Sequence, residues 1–247
     1  MIYSDLHMHT VYCDGKNSPE DMVLSALEKG LKTVGVCTHA PMPFSADWCI
    51  KEEKIKKFID ELKDLKEKYR DKINVLCGLE DDAYAVCDRA PFDYVIGSVH
   101  FFKVGEKFYP IDLSAKELRL AVEEGFGGDA CLAAEQYFEN VVKVAKTATI
   151  IGHFDLISKF KEIDPLFDEN APRYKKAWKS AVDKLIPLNI PFEVNTGAIS
   201  RGHRTTPYPS TEMIEYIKAK GGKLILSSDS HNAKNIAFEF DKWKGLL

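Results

Sequence analysis

Six of the seven histidines stand in short blocks that follow apolar, strand-like runs, and several of these blocks also hold a carboxylate. They are Asp5-Leu6-His7-Met8-His9, Thr38-His39, Gly78-Leu79-Glu80, Ser98-Val99-His100, Gly152-His153-Phe154-Asp155 and Ser228-Asp229-Ser230-His231. Imidazole nitrogens and carboxylate oxygens bind zinc, iron and manganese alike. A chain that gathers its histidines this way is suited to hold several divalent ions and to use them for hydrolysis.

Spacing sharpens the reading. His7 and His9 alternate by one residue, so on a strand both face the same side and can grip one ion, with Asp5 on that parity placed to orient them. Asp229 and His231 share a parity in the same way, although Ser228-Asp229-Ser230 alone could form a turn. Glu80 opens an acidic cluster with Asp81 and Asp82, which by itself suits a solvated turn. Its position straight after Val75-Leu76-Cys77-Gly78-Leu79 instead suits a bridging carboxylate at a strand mouth. His39 reads equally as a ligand or as a capping or core histidine. His203 lies outside the blocks between Arg201 and Arg204, where a cation is disfavoured, and reads as a surface or substrate-side residue. The methionines, the three tryptophans and the Phe-rich segments read as core.

These residues need a scaffold that brings distant strand ends together. Seven short runs qualify as strands buried on both faces: Ile2 to Leu6, Thr33 to Cys37, Ile73 to Leu79, Tyr94 to Val99, Thr149 to Gly152, Ile190 to Val194 and Lys223 to Leu226. Helix signals lie between several of them. Ser18-Pro19-Glu20-Asp21 starts a helix that Gly30 ends, residues 51–70 carry an amphipathic pattern, and Ser114 with Glu117 forms a capping box. Tyr137 to Ala145, Ala177 to Ile186 and Thr211 to Ala219 complete the set. Alternating strand and helix predicts a parallel α/β fold, a barrel or a doubly wound sheet, and the ligand blocks favour the barrel, whose strands deliver their carboxyl ends to one mouth. At 247 residues the chain matches the ~250 of one such barrel, so residues 1–247 read as a single domain.

Composition narrows the partners. With 34 basic against 38 acidic residues there is no basic stripe for a phosphate backbone, so nucleic acid is not expected. Six cysteines at 13, 37, 49, 77, 87 and 131 never approach CxxC spacing; Cys37 and Cys77 fall in apolar runs and read as small hydrophobes, and a reducing cytoplasm fits. The start lacks a basic segment followed by a long apolar stretch, and no run nears ~18 apolar residues, so neither export nor membrane insertion is expected.

Taken in order, Asp-Leu-His-Met-His-Thr, Thr-His, Gly-Leu-Glu, Gly-Ser-Val-His, Gly-His-Phe-Asp and Ser-Asp-Ser-His resemble the polymerase-and-histidinol-phosphatase (PHP) superfamily of metallohydrolases along the full chain. Gly97-Ser98-Val99-His100-Phe101, Gly152-His153-Phe154-Asp155-Leu156-Ile157 and Glu193-Val194-Asn195-Thr196-Gly197 followed by Arg201 resemble its histidinol-phosphatase branch. That resemblance implies a distorted (β/α)7 TIM-like barrel with a trinuclear site. His7, His9, Glu80 and Asp229 would hold one ion, Glu80, His100 and His153 a second, and Asp14, His39 and His231 the third, although Cys13-Asp14-Gly15 also reads as an ordinary turn. It implies a phosphomonoesterase acting on L-histidinol phosphate through a metal-bridging hydroxide.

In that scheme Arg201, with Arg204, Lys159 or His203, would bind phosphate oxygens, and Asp155 or His203 are among the groups that would protonate the leaving oxygen. One departure stands out: Ser158-Lys159 occupies a place where relatives often carry Arg, so a point charge replaces a planar fork. The stretch from Phe101 to Leu132, with Gly125-Phe126-Gly127-Gly128-Asp129, reads as a lid or a plain excursion, its Asp112, Glu123 or Asp129 facing the ammonium of histidinol. A phosphoesterase of nucleoside bisphosphates or phosphotyrosine, a polymerase-linked exonuclease, and a metal-buffering protein without turnover, are the alternatives.

Overall fold

Parallel strands pair only through crossovers, and the seven apolar runs are separated by segments long enough to supply them. The computed structural model describes residues 4–44 and 46–247; the expected strand from Ile2 is therefore described only from Ser4. Strand β1 (Ser4–Asp5) leads to helix α1 (Pro19–Glu28), β2 (Thr33–His39), α2 (Glu52–Tyr69), β3 (Asn74–Asp82) and β4 (Tyr94–Ser98). A hairpin of β5 (Phe101–Val104) and β6 (Lys107–Pro110) comes next, then α3 (Ala115–Phe126) and α4 (Ala130–Val144). The chain continues through β7 (Ile150–Ile151), α5 (Pro172–Leu185), β8 (Phe192–Asn195), the short α6 (Gly197–Ser200), α7 (Thr211–Ala219) and β9 (Leu224–Ser227).

The seven expected strands form one parallel sheet in the order β1-β2-β3-β4-β7-β8-β9, each beside its successor. The sheet curls until its ends meet. Met8, just past β1, bridges in parallel to Ser230, just past β9, with His9 N donating to Ser230 O at 2.8 Å and Ser230 N to His7 O at 3.1 Å. The nearly closed barrel is thus stitched at the end where the histidine blocks emerge. Below the stitch, the Asp5 carboxylate accepts Ser228 N at 3.1 Å, Ala237 N at 2.9 Å and the Ser228 hydroxyl. Asp5 therefore ties the seam and meets the histidine pair only through the His7 backbone, whose N–H donates to its Oδ1 at 3.4 Å; it does not aim the rings by parity, because β1 ends at Asp5.

Cys37, Tyr94, Ile96 and Ile150 fill the barrel interior with Leu6, Leu76 and Ile225 around them, while Val34, Val36 and Val75 point outward against α1 and α2. That two-sided burial is why the strands read as continuous apolar runs. Ser18 caps α1 in a full box with Asp21; at Ser114 only the half in which its hydroxyl accepts Glu117 N, at 3.1 Å, is made. The stretch after Phe101 is neither loop nor lid. Phe102, Ile111 and Leu118 anchor it in the core, and the Gly-rich segment makes the corner between α3 and α4, Gly127 and Gly128 taking φ of 59° and 82°. Asp129 caps α4 and pairs with Arg173, and Glu123 lies exposed on α3, so neither faces the barrel mouth. Among the described residues no helix is long and apolar enough to cross a membrane.

Candidate metal centre

Each histidine block ends its strand at the same rim. His39 closes β2 directly across the register from Glu80 on β3, His100 follows β4, His153 follows β7, and Asp229 with His231 follows β9. Glu80 stands at the centre. Its Oε2 lies 3.3 Å from His7 Nε2, 3.2 Å from His9 Nε2 and 2.8 Å from His39 Nδ1; its Oε1 lies 2.9 Å from His153 Nε2 and 3.3 Å from His100 Nε2. One carboxylate thus divides five imidazoles into two sets, as a bridging ligand must.

Asp229 Oδ1 joins the first set at 3.7 Å from His7 Nε2 and 3.5 Å from His9 Nε2. Its backbone sits at φ 47°, a conformation aspartate tolerates better than most residues and one that recurs at functional sites. A third group gathers at the solvent side, with Asp14 Oδ2 3.1 Å from His231 Nε2 and Asp14 Oδ1 3.5 Å from His39 Nε2. Gly15 makes that approach possible, since a Cβ there would stand 2.3 Å from the His9 carbonyl. The expected ligands His7, His9, Asp14, His39, Glu80, His100, His153, Asp229 and His231 are therefore brought together.

The arrangement fits cations better than a hydrogen-bond network. His7 Nε2 and His9 Nε2 face each other at 3.2 Å, roughly the edge of a polyhedron with ~2.1 Å metal–nitrogen bonds. Glu80 Oε2 and His39 Nδ1 are buried and close, yet neither has an aligned hydrogen bond. Burial opposes charge on Glu80, but His7, His39 and His100 outweigh it and hold its carboxyl well below the usual range. For His7 burial acts downward, and the carboxylates of Glu193, Glu80 and Asp229 lift it well above an ordinary imidazole. His9 goes the other way, to about 3, through burial and the neighbouring His39 and His231.

Two buried acids orient the rings. Glu193, inside β8, accepts from His7 Nδ1 at 2.7 Å and from His153 N at 3.0 Å, turning His7 Nε2 toward the cluster. Asp82 accepts from His100 N at 2.7 Å and lies 3.3 Å from its Nδ1. The sequence held a signal for both: Glu193 is a lone carboxylate between Phe192 and Val194, and Asp82 shares the parity of Glu80.

The cluster floors a cavity of about 650 Å³. Arg201 lines it, donating to Asp229 Oδ2 and O, both at 2.8 Å; Gly197 leaves room for this pair, since a Cβ there would press on Asp229 at 2.7 Å. Lys159 also lines it, its Nζ donating to Asp112 O at 2.7 Å and Oδ2 at 3.2 Å. The other wall is aromatic: Phe44, Trp48, Phe101 and Phe108, with Trp48 edge-on to His39 at 4.6 Å. Trp48 is thus a wall of the site and not core.

Three expected residues stand elsewhere. Arg204 is buried, stacked on Tyr208 at 4.3 Å, donating to Ser158 Oγ at 3.1 Å and Pro207 O at 3.3 Å, with Asp155 3.6 Å away. Asp155 is fully buried and accepts from Ser158 Oγ at 3.0 Å and Ser210 N at 3.2 Å. Neither lines the cavity expected to hold the phosphate; the two face each other in the packing. His203 does not line the cavity either; its ring is edge-on to Phe160 at 5.9 Å, and burial with the Lys159 and Arg201 charges lowers its pKa.

The PHP domain family matches residues 5–197. A Deinococcus radiodurans relative is 27% identical over 249 residues, 96% of this chain and 89% of its own. The histidinol-phosphatase of Bacillus subtilis is 24% identical over 263 residues, 96% of each chain. Among solved structures, a Listeria monocytogenes protein superposes with a TM-score of 0.83 at 18% identity, covering 97% of this chain and 99% of its own. Histidinol phosphate phosphatase from Lactococcus lactis, solved with zinc, L-histidinol and phosphate, superposes with a TM-score of 0.76 at 21% identity, over 99% and 92%. Matched over most of its length and sharing the barrel, the chain belongs to the PHP domain family, where it groups with proteins named histidinol-phosphatase.

Proposed function

We propose that the protein is a metal-dependent phosphomonoesterase that hydrolyses L-histidinol phosphate to L-histidinol and phosphate. The observation that carries this reading is Glu80, whose two oxygens part five imidazoles directly beneath a cavity lined by Arg201. His7, His9, Glu80 and Asp229, then Glu80, His100 and His153, then Asp14, His39 and His231 would hold three divalent ions. Zinc, iron or manganese bound there would lower the pKa of water to supply the nucleophile and offset phosphoryl charge.

The chain's own groups do the remainder. Arg201 presents a guanidinium to the phosphoryl oxygens while its bond to Asp229 fixes its orientation. Lys159 adds a second positive charge, steadied by Asp112. Asp112 is the one of the three acids considered for the ammonium that lines the cavity, and the aromatic wall offers faces on which an imidazole can stack. The hairpin and the aromatic wall narrow the cavity to the size of a small ligand.

Turnover of histidinol phosphate, p-nitrophenyl phosphate and a dinucleotide by the metal-loaded protein tests the reading. Histidinol phosphate is expected to lead in kcat/KM by at least tenfold. A preference for either of the others moves the assignment to another PHP phosphoesterase, and no turnover with ions bound moves it to a metal-holding protein.

A further inference from the structure

Two residues before His39 on β2 stands Cys37, and strand alternation turns both side chains into the barrel. Cys37 is wholly buried at the floor of the cluster, above Tyr94, Ile96 and Ile150. Its Sγ lies 3.9 Å from His9 Nε2, the nitrogen that faces His7 Nε2 and Glu80 Oε2. Ligand atoms of His7, His9 and Cys37 all fall within 4.8 Å of one another. Its side chain packs on the apolar layer, while its sulfur reaches the imidazole pair and donates weakly to Met8 O at 3.3 Å.

The distance is close to that of a ligand. With His7, His9, Glu80 and Asp229 on the same ion, sulfur would be a fifth ligand, and zinc bonds of ~2.3 Å to sulfur and ~2.05 Å to nitrogen at ~120° put the two atoms roughly 3.8 Å apart, close to the 3.9 Å seen. We propose that Cys37 Sγ is a thiolate ligand of the ion gripped by His7 and His9, so that this innermost position is thiophilic and takes zinc or cobalt ahead of manganese. The S–H bond breaks as the S–metal bond forms, its proton leaves to solvent, the weak bond to Met8 O is given up, and no electron is transferred. Imidazole and carboxylate ligands suit all three metals named above, whereas a thiolate selects against manganese. This inference rests on the metal occupancy of the proposed function and not on its substrate.

Cobalt makes the bond visible. The whole metal-depleted chain is loaded with Co²⁺ and its near-ultraviolet spectrum recorded against the same chain loaded with Mn²⁺. A thiolate-to-cobalt charge-transfer band is expected in the wild type, lost in Cys37→Ser and kept in Cys13→Ser, whose thiol lies 3.4 Å from His9 Nδ1 on the far side of that ring. Chelator competition is expected to show Cys37→Ser losing at least about tenfold of the zinc-over-manganese preference. Cys37→Ala, which keeps the floor apolar, serves if serine there prevents folding, judged by thermal unfolding without metal. Cobalt bound without a band in the wild type, or a band that survives removal of Cys37, overturns the proposal. No cobalt uptake at all overturns it together with the metal reading beneath it, whereas a band without phosphatase turnover leaves it standing and sinks only the substrate.

Discussion

Arg201 and Arg204 stand three residues apart, each meets an aspartate, and the two pairs do opposite work. Arg201 lines the cavity with Asp229 at the edge of the metal cluster, whereas Arg204 is sealed under it with Asp155 and the Tyr208 ring. The chain turns just after α6, sending one side chain up to the mouth and the other down into the packing. The same chemistry placed in a half-open site binds and orients; placed in a dry site it neutralises and holds.

Breaking the buried member is expected to have the largest effect, and on stability. Arg204→Ala leaves the Asp155 carboxylate buried without its counter-charge, which typically costs ~3–5 kcal/mol. In a chain of this size that lowers the unfolding midpoint by roughly 10 °C, with turnover per folded molecule close to wild type. A large kcat loss with an unchanged melting point would reverse the roles of the two arginines. Arg201→Ala is expected to do the converse, cutting kcat/KM about 10²- to 10³-fold, near 3–4 kcal/mol of transition-state stabilisation, with a small melting shift. Steady-state kinetics and a melting curve on the same preparation decide it.

Next in size is Glu193→Gln, which keeps the shape but weakens the acceptor that aims His7. Metal affinity is expected to fall about 10- to 100-fold, measured by chelator competition, and an unchanged affinity would make Glu193 a packing residue. The same affinity responds to pH. Because His7 and His100 sit above the ordinary imidazole value in the ion-free site, each holds a proton that a metal must displace. Affinity should therefore rise with pH, by about tenfold per unit for each proton displaced, until those protons are gone. An affinity that falls as pH rises through neutrality would contradict the assignment of these two rings as ligands.

The two arginines also show where sequence reading stops. The seven strands were legible because a strand buried on both faces leaves a run such as Val34-Gly35-Val36-Cys37 that no half-exposed element produces. Eight of the nine metal-directed side chains were legible because His or carboxylate after such a run marks a strand mouth; Asp14, in the turn Cys13-Asp14-Gly15, was reached only through the family resemblance. Nothing comparable says which way a side chain points once the strand has ended, so Arg201, Arg204 and Asp155 read alike as polar residues near the site. Trp48 and Phe44 read as core for the same reason, since an apolar residue facing a cavity and one facing the interior have one composition. Asp5 shows the limit of parity, which holds only while the strand lasts.

Whether the cluster around Glu80 drives the hydrolysis decides everything built on it. Metal-depleted protein titrated with Zn²⁺ or Mn²⁺ while histidinol phosphate hydrolysis is followed gives the most direct answer. Activity should climb from near zero, level off at about three equivalents, and stay flat throughout in Glu80→Gln. Hydrolysis that persists after the ions are stripped, or a Glu80→Gln variant that responds like the wild type, would contradict it.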